Sequence, residues 1–374
     1  MTIKILTGFD GSCPHSDEGV KKESCNTFTV YPGYRKEDGF SEENSRQGGS
    51  RFYIRIENDS IKSESVDITA DWQIPARVCH HDQGYIKQNG GDWGFLPCIR
   101  TAETKIKYSL YSIPGITELA LFPEYNYSQC KSFVESLASE GIKIETVGQS
   151  EDGRDMWMVE FASDNPRAES FFIQARDHAY ETAGSYCVEG IVEFLKSEDF
   201  ISKYIRSKFN FHIVPMTNPD GVYRGMSRLT REKGADMNRL NTVSDKAHDN
   251  LKKTIDRIAP KVHMNIHNWT NKFMDGLLVN DEEIKQRILF HFTDDRENYK
   301  HWHIETHADY LRANNITEAP ENSKSWKNYC KEKFGAYGVN FEFPWFAILP
   351  NGMKQKGKKA LTAYALSAID AMKL

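Results

Sequence analysis

The pattern of hydrophobic and polar positions changes near residue 125. Before it, short runs of β-forming residues alternate with stretches rich in Gly, Asn and Asp, such as 47–50 and 89–92. The runs lie at 26–31, 51–57, 66–70, 105–111 and 118–122. Spaced short strands with polar turns are typical of β-sandwiches. We therefore predict an antiparallel β-sandwich domain over residues 1–124.

Strands alternate with helices over the remainder of the chain. Apolar strand patterns occur at 171–175, 209–215, 262–267 and 339–343. Helical patterns occur after Ser128 and at 183–196, 251–259, 281–292, 323–333 and 360–373. The alternation predicts an α/β domain over residues 125–374, with a mostly parallel mixed sheet flanked by helices. Ligands of such sheets bind at the carboxyl ends of the strands.

An H-x-x-E pair occurs twice. Imidazole and carboxylate are both zinc ligands, but an isolated pair is more often a cap or a surface feature. His15 and Glu18 lie in a polar stretch, and we expect no site there. His178 and Glu181 directly follow the apolar strand 171–175, where buried polar side chains need a partner. The second pair is therefore a candidate half of a metal site.

Two alternating strands carry polar side chains on one face. His263, Asn265 and His267 share a face of strand 262–267, and His267 is its last residue. His263 lies about 13 Å further down the strand, so we predict a hydrogen-bonded core histidine there. Glu342 lies near the end of strand 339–343, where a carboxylate must be paired or functional. A salt bridge remains the alternative for Glu342.

A polar segment follows the turn Asn218-Pro219-Asp220-Gly221. It contains Arg224, Arg228, Arg231, Asp236, Asn238 and Arg239. Scattered arginines often mean only a solvated loop. Loops at the carboxyl ends of strands also hold substrates, and arginine binds carboxylates through two parallel hydrogen bonds.

Seven motifs in order resemble the zinc metallocarboxypeptidases, the carboxypeptidase A-like enzymes. They are Gly148-Gln149-Ser150 with Gly153-Arg154, His178-x-x-Glu181, Asn218-Pro219-Asp220-Gly221, Gly225-Met226-Ser227-Arg228, Asp236-Met237-Asn238-Arg239, Ile266-His267 and Phe341-Glu342. The resemblance covers about residues 145–345. Residues 52–58 and 124–128 are further similar to the cytosolic carboxypeptidase branch.

The resemblance implies a role for each matching residue. One zinc ion would be bound by His178, Glu181 and His267. Glu342 would be the general base, and Arg228 would bind the substrate and stabilise the oxyanion. Asn238 and Arg239 would hold the terminal carboxylate of a peptide or protein. The implied reaction is hydrolysis of a carboxy-terminal peptide or isopeptide bond.

The chain departs from the family pattern beside these residues. Ala179-Tyr180 stands where the family usually has Pro-Gly, Leu240-Asn241 follows the Asn-Arg pair, and Asn268-Trp269 follows His267. The preferred side chain therefore cannot be carried over. Tyr329 and Tyr337 are both candidates for the family's mobile tyrosine, and the sequence does not choose between them.

Composition limits the partners. The 374 residues carry a net charge of -5, which gives no electrostatic footprint for nucleic acid. No apolar run approaches the ~20 residues of a membrane helix. Seven scattered cysteines and an amino terminus unlike a signal peptide predict a cytoplasmic protein. The sequence does not predict the oligomeric state.

We expect exposed segments, and no metal site, at Cys79-His80-His81 and around His301, His303 and His307.

Two other functions fit the same pattern. One is a zinc amidohydrolase that acts on small N-acyl amino acids. The other is a non-catalytic binding protein on a peptidase fold. A large amino-terminal β-domain favours a polymer substrate over the first, and Glu342 would have no purpose in the second.

Overall fold

The computed structural model describes residues 3–33, 51–73, 83–240, 243–269, 273–279, 282–291, 303–306, 309, 312 and 324–374. The strands are β1 (Ile3–Leu6), β2 (Val20–Lys22), β3 (Thr27–Val30), β4 (Tyr53–Asn58), β5 (Glu64–Asp71), β6 (Gln83–Gln88), β7 (Gly94–Ala102), β8 (Lys105–Ser112), β9 (Gly115–Ala120), β10 (Lys143–Gln149), β11 (Asp155–Phe161), β12 (Glu169–Ala175), β13 (Phe209–Val214), β14 (Val262–His267), β15 (Gly276–Val279), β16 (His303–Thr306) and β17 (Tyr337–Glu342). The helices are α1 (Tyr127–Ser139), α2 (Thr182–Lys196), α3 (Phe200–Arg206), α4 (Pro219–Tyr223), α5 (Lys246–Ile258), α6 (Glu282–His291), α7 (Trp326–Phe334) and α8 (Pro350–Met372). Among these helices, none is long and apolar enough to cross a membrane.

The amino-terminal region is rich in β-structure, as predicted. Its strands form one sheet in the order β1-β4-β9-β6-β7-β8-β5-β3-β2. The sheet is mixed, so the prediction of a purely antiparallel arrangement is wrong. Strands β3 and β5 run parallel, because the chain crosses through β4 between them and no hairpin joins them.

This sheet is strongly curved. Strands β4 and β8 are four positions apart in the strand order, which is about 19 Å in a flat sheet. Yet the ring of Phe52, just before β4, stacks on that of Tyr108 in β8 with centroids 5.4 Å apart. The division into two packed sheets, and the domain boundary at residue 124, stay predictions.

The second sheet is mixed and flanked by helices, as predicted. Its strand order is β10-β11-β13-β12-β14-β17-β15-β16. The four central strands, β13, β12, β14 and β17, are parallel to their neighbours in this group. The carboxyl ends of β12, β14 and β17 therefore meet at one edge.

Helices on both faces bury this sheet. Val262, Met264 and Ile266 of β14 belong to a core shared with α2 and α8, whereas Phe172 of β12 belongs to a second core with α5 and α7. Helices α2 and α8 cross in backbone contact. A Cβ at Gly190 would overlap the backbone of Lys354. This contact fixes α2 against the sheet.

Several predicted boundaries need correction. Helix α1 is capped by Asn126, which forms a capping box with Gln129, and not by Ser128. Helix α8 begins at Pro350, ten residues before the predicted start. The prediction began too late because Gly and Lys residues interrupt the apolar pattern in the first turns of the helix. Cys79, His80, His81, His301 and His307 lie outside the described residues.

Candidate functional site

Three buried side chains converge at the edge where the parallel strands end. His178, Glu181 and His267 each offer a ligand atom, and these atoms lie within 4.8 Å of one another. Their exposed fractions are 5%, 2% and 1%. Within the part of the chain that the structure describes, no other three His, Cys, Asp or Glu residues group in this way.

The parallel strands and the start of α2 bring these three residues together. Ala175 ends β12 opposite Ile266 of β14, so the turn that follows β12 begins beside His267. Glu181 is the residue that precedes α2. A Cβ at Gly184 would lie only 2.9 Å from the carbonyl oxygen of Ile266. Glycine therefore lets the first turn of α2 approach β14 closely.

Glu181 lies between the two imidazoles. Its Oε1 is 2.8 Å from Nδ1 of His178, and its Oε2 is 2.7 Å from Nδ1 of His267. Burial lowers the pKa of His267, but the carboxylates of Glu181, Glu342 and Asp177 together outweigh burial and raise this pKa to about 9. Burial raises the pKa of Glu181, but the two imidazoles outweigh it and hold this pKa well below its usual range.

The donor set fits a zinc ion. Two imidazole nitrogens and one carboxylate are the ligands of a catalytic zinc site that leaves a position open. The Glu181 carboxylate is buried between the two imidazoles, and a buried carboxylate is stabilised by a positive charge beside it. A divalent cation bound by the three residues would supply that charge in place of a proton.

Polar partners orient the two histidines from outside. Oδ1 of Asp236 is 3.2 Å from Nε2 of His178, and its Oδ2 accepts a hydrogen bond from Nε of Arg228 at 2.8 Å. Nδ2 of Asn238 lies 3.3 Å from Nε2 of His267. Such outer partners fix the ring orientation of metal-binding histidines. The sequence analysis predicted no role for Asp236, although its place two residues before Asn238 in the same motif could have indicated one.

Glu342 lies beside His267 on the neighbouring strand. The two residues pair in the register of β14 and β17, and Glu342 is buried. Burial raises the pKa of Glu342 to about 7, although the neighbouring imidazoles of His267 and His178 act to lower it. Among the described residues, no lysine or arginine forms a salt bridge with Glu342. The salt-bridge alternative therefore has no partner in this part of the chain.

Side chains of α5 and α7 form hydrogen bonds with the backbone of the loop that carries Asn238 and Arg239. His248 of α5 donates a hydrogen bond from Nε2 to the carbonyl oxygen of Arg239 at 2.8 Å. The indole of Trp326 in α7 donates to the carbonyl oxygen of Met237. Sequence reasoning missed both residues, because neither belongs to a motif. Arg239 also donates from Nη1 to the carbonyl oxygen of Asn238 at 2.8 Å.

Other candidate residues lie elsewhere. His263 is fully buried and its Nε2 is 3.1 Å from Oε1 of Gln174, so the predicted core histidine is confirmed. Tyr337 begins β17 at the end opposite Glu342. Tyr329 donates a hydrogen bond to Asp256 of α5. His15 lies 3.1 Å from the hydroxyl of Ser12, away from the metal-type cluster.

Curated relatives share part of the sequence. Cytosolic carboxypeptidase 6 from Mus musculus is 33% identical over 193 residues, which are 46% of this chain and 36% of that protein. An uncharacterized protein from Zymomonas mobilis is 27% identical over 244 residues, which are 64% of this chain and 59% of that protein. The matches thus span between about a third and three fifths of these relatives.

Solved structures share the fold over almost the whole chain. A metallo-carboxypeptidase from Burkholderia cenocepacia has a TM-score of 0.80 at 17% identity, covering 99% of this chain and 100% of that one. A metallo-carboxypeptidase from Pseudomonas aeruginosa, in complex with (2-guanidinoethylmercapto)succinic acid, has a TM-score of 0.74 at 17% identity, covering 97% and 98%. At these identities the likeness shows the carboxypeptidase-like α/β fold alone.

Residues 130–343 match the family model described as zinc carboxypeptidase, and they make up more than half of the sequence. The chain therefore belongs to the zinc carboxypeptidase family.

Proposed function

We propose that the chain is a zinc-dependent carboxypeptidase that hydrolyses the carboxy-terminal peptide or isopeptide bond of a peptide or protein. One observation carries the proposal. The cluster of His178, Glu181 and His267 has beside it a buried carboxylate, Glu342, in register with His267. A metal-type cluster with an adjacent carboxylate can supply both a Lewis acid and a general base.

The three ligands and Glu342 have complementary tasks. Zinc bound by His178, Glu181 and His267 would polarise the scissile carbonyl and make water more acidic. Glu342 takes the proton from the attacking water and passes it to the leaving amine. Its raised pKa, about 7, suits a group that must both accept and release a proton near neutral pH.

Three polar side chains serve the substrate. Arg228 stabilises the oxyanion that develops on the carbonyl oxygen, and Asp236 holds its guanidinium at 2.8 Å. Asn238 and Arg239 bind the terminal carboxylate, and this contact restricts the enzyme to chain ends. The carboxylate of Asp236 contacts both Arg228 and His178, so it couples the oxyanion group to the metal ligands.

The test compares one peptide as its free acid and as its carboxy-terminal amide. The free acid should lose one residue at a time, and the amide should be almost inert, because a charge-assisted contact to Arg239 is lost. Arg239→Ala should slow cleavage of the acid and narrow the gap between the two forms. Arg231→Ala, in the same segment, is the matched control and should keep the gap.

Three results would contradict the proposal. Internal cleavage of the amide indicates an endopeptidase. Turnover of N-acyl amino acids without cleavage of peptides indicates the amidohydrolase. Zinc binding without turnover of any of these substrates indicates a binding protein.

The location of the protein is also a proposal. In the described part of the chain, Cys25, Cys130, Cys187 and Cys330 form no disulfide bond. The matching relatives include proteins named cytosolic carboxypeptidases. Both observations support a cytoplasmic protein.

A further inference from the structure

A buried ion pair lies where the amino-terminal region meets the rest of the chain. Arg51, just before β4, donates from Nη2 to Oε1 of Glu124 at 2.7 Å and from Nε to Oε2 at 3.3 Å. The side chains are only 3% and 4% exposed. A pair this buried is held in one geometry, because each charge depends on the other for its solvation.

The same guanidinium also reaches the segment that leads to Arg228. Nη1 of Arg51 donates to the carbonyl oxygens of Val222 and Met226, each at 3.1 Å. Met226 is two residues before Arg228. Arg51 therefore fixes the backbone from which the proposed oxyanion group extends.

Glu124 is connected through Arg176 to the turn that carries the proposed metal ligands. Its Oε1 is 3.7 Å from Nη2 of Arg176, which is fully buried. Nη2 of Arg176 also donates to the carbonyl oxygen of Ala179 at 2.8 Å. Ala179 lies between the ligands His178 and Glu181. Arg176 itself has a φ of 64°, a conformation that costs a non-glycine residue energy and persists only where its surroundings hold it.

A second contact reaches the loop behind Glu342. The hydroxyl of Tyr85, in β6, lies 3.2 Å from the carbonyl oxygen of Trp345 and 3.1 Å from that of Ile348. The indole of Trp345 in turn donates to Oγ1 of Thr182, which follows Glu181, at 2.9 Å. The amino-terminal region therefore contacts the backbone around the general base as well as the two segments described above.

We propose that Arg51 and Tyr85 are positioning residues for catalysis, by which the amino-terminal region completes the active site. Arg51 acts on the Arg228 segment directly and on the zinc-ligand turn through Glu124 and Arg176. Tyr85 acts on the loop that follows Glu342. The inference rests on the proposed function. Small displacements of catalytic groups have large effects on rate, because the reacting atoms must be held in a narrow range of distances.

The experiment uses the full chain with Arg51→Lys and Tyr85→Phe. Lysine keeps the charge but cannot hold Glu124 and two carbonyl groups at once. Phenylalanine keeps the ring but loses the hydroxyl. The first matched control is Arg55→Lys, which alters the part-exposed pair of Arg55 in β4 with Glu118 in β9. The second is Tyr111→Phe in β8, where the ring is exposed.

We expect each test variant to lower kcat at least about tenfold with little change in KM, because the substrate-carboxylate contact is untouched. Arg51→Lys should also weaken zinc binding, measured by competition with a chelator, about tenfold. The controls should match the wild type in both measurements. Circular dichroism at the assay temperature establishes that each variant is folded.

Folded variants with wild-type kcat and zinc affinity, even if less heat-stable, would overturn the inference and leave these contacts a purely structural role. If Arg51→Lys does not fold, kcat of Tyr85→Phe decides. If the wild type turns over no substrate, the proposed function fails, and the effect of Arg51→Lys on zinc affinity still tests the inference.

Discussion

Glu342 lies directly opposite His267 in the parallel pairing of β17 with β14. In a parallel pair, residues in register point to the same face and reach the same edge of the sheet. A metal ligand and a carboxylate are thus placed side by side by backbone hydrogen bonds alone. The distance between them is therefore a property of the sheet.

The metal site can be tested with its own internal control. Glu181→Gln replaces a charged ligand by a weak neutral one, so the zinc content of the purified protein should fall from one ion per chain to well below it. Glu18→Gln alters the second H-x-x-E pair and should leave the zinc content at one. Metal analysis after dialysis measures both. Equal zinc in the two variants would place the metal elsewhere.

Glu342→Gln tests the general base. The amide keeps the size of the side chain but cannot accept the proton, so kcat should fall at least ~10²-fold. Zinc content should stay unchanged, because Glu342 is not one of the three proposed ligands. The exposed Glu332→Gln serves as control. Near-normal turnover of Glu342→Gln would assign the base to another group.

Alanine substitutions at two glycines with similar φ values distinguish the cost of backbone strain from the cost of steric overlap. Gly153 and Gly225 have φ values of 77° and 66°. A Cβ at Gly153 meets nothing within 4 Å, whereas one at Gly225 overlaps the carbonyl oxygen of Ser12. Gly153→Ala should cost about 1–2 kcal/mol of unfolding free energy for the left-handed conformation. Gly225→Ala should cost clearly more, because a backbone contact must also move.

Urea unfolding of both glycine variants measures this difference. A larger loss at Gly153 than at Gly225 would show that the segments around Ser12 and Gly225 do not pack as described.

His263 should make the protein less stable in acid. Burial lowers the pKa of His263 to about 3, below its ordinary value of 6.5. Between these values the unfolded chain binds a proton that the folded protein does not, so stability rises with pH over this window and is lost as pH falls. One such proton changes the unfolding free energy by about 1.4 kcal/mol per pH unit.

His263→Gln removes this proton while keeping a polar side chain beside Gln174. The unfolding free energy of the variant should depend less on pH between pH 6 and pH 4 than that of the wild type. If the unfolding free energies of the two proteins change equally with pH, His263 is protonated in the folded protein over this range, and the prediction is wrong.

Local patterns in the sequence predicted most of the parallel sheet and the candidate site. Strand β14 was predicted with its observed ends, because apolar and polar residues alternate from Val262 to His267. His178, Glu181 and His267 could be placed at strand ends, since each follows or closes an apolar run. Strands β6 and β10 were missed, because polar residues interrupt their patterns.

Only the tertiary structure decided what lies around the site. Glu181 is 86 residues from His267, and Arg51 is 73 residues from Glu124, so no local pattern can report either contact. The roles of Asp236, His248 and Trp326 likewise depend on contacts between separate elements. The sequence by itself determined which groups could bind a metal, because residue type and local pattern fix their chemistry. The register of the sheets and the packing of the amino-terminal region determined how these groups are held, because long-range contacts arise only when the chain is folded.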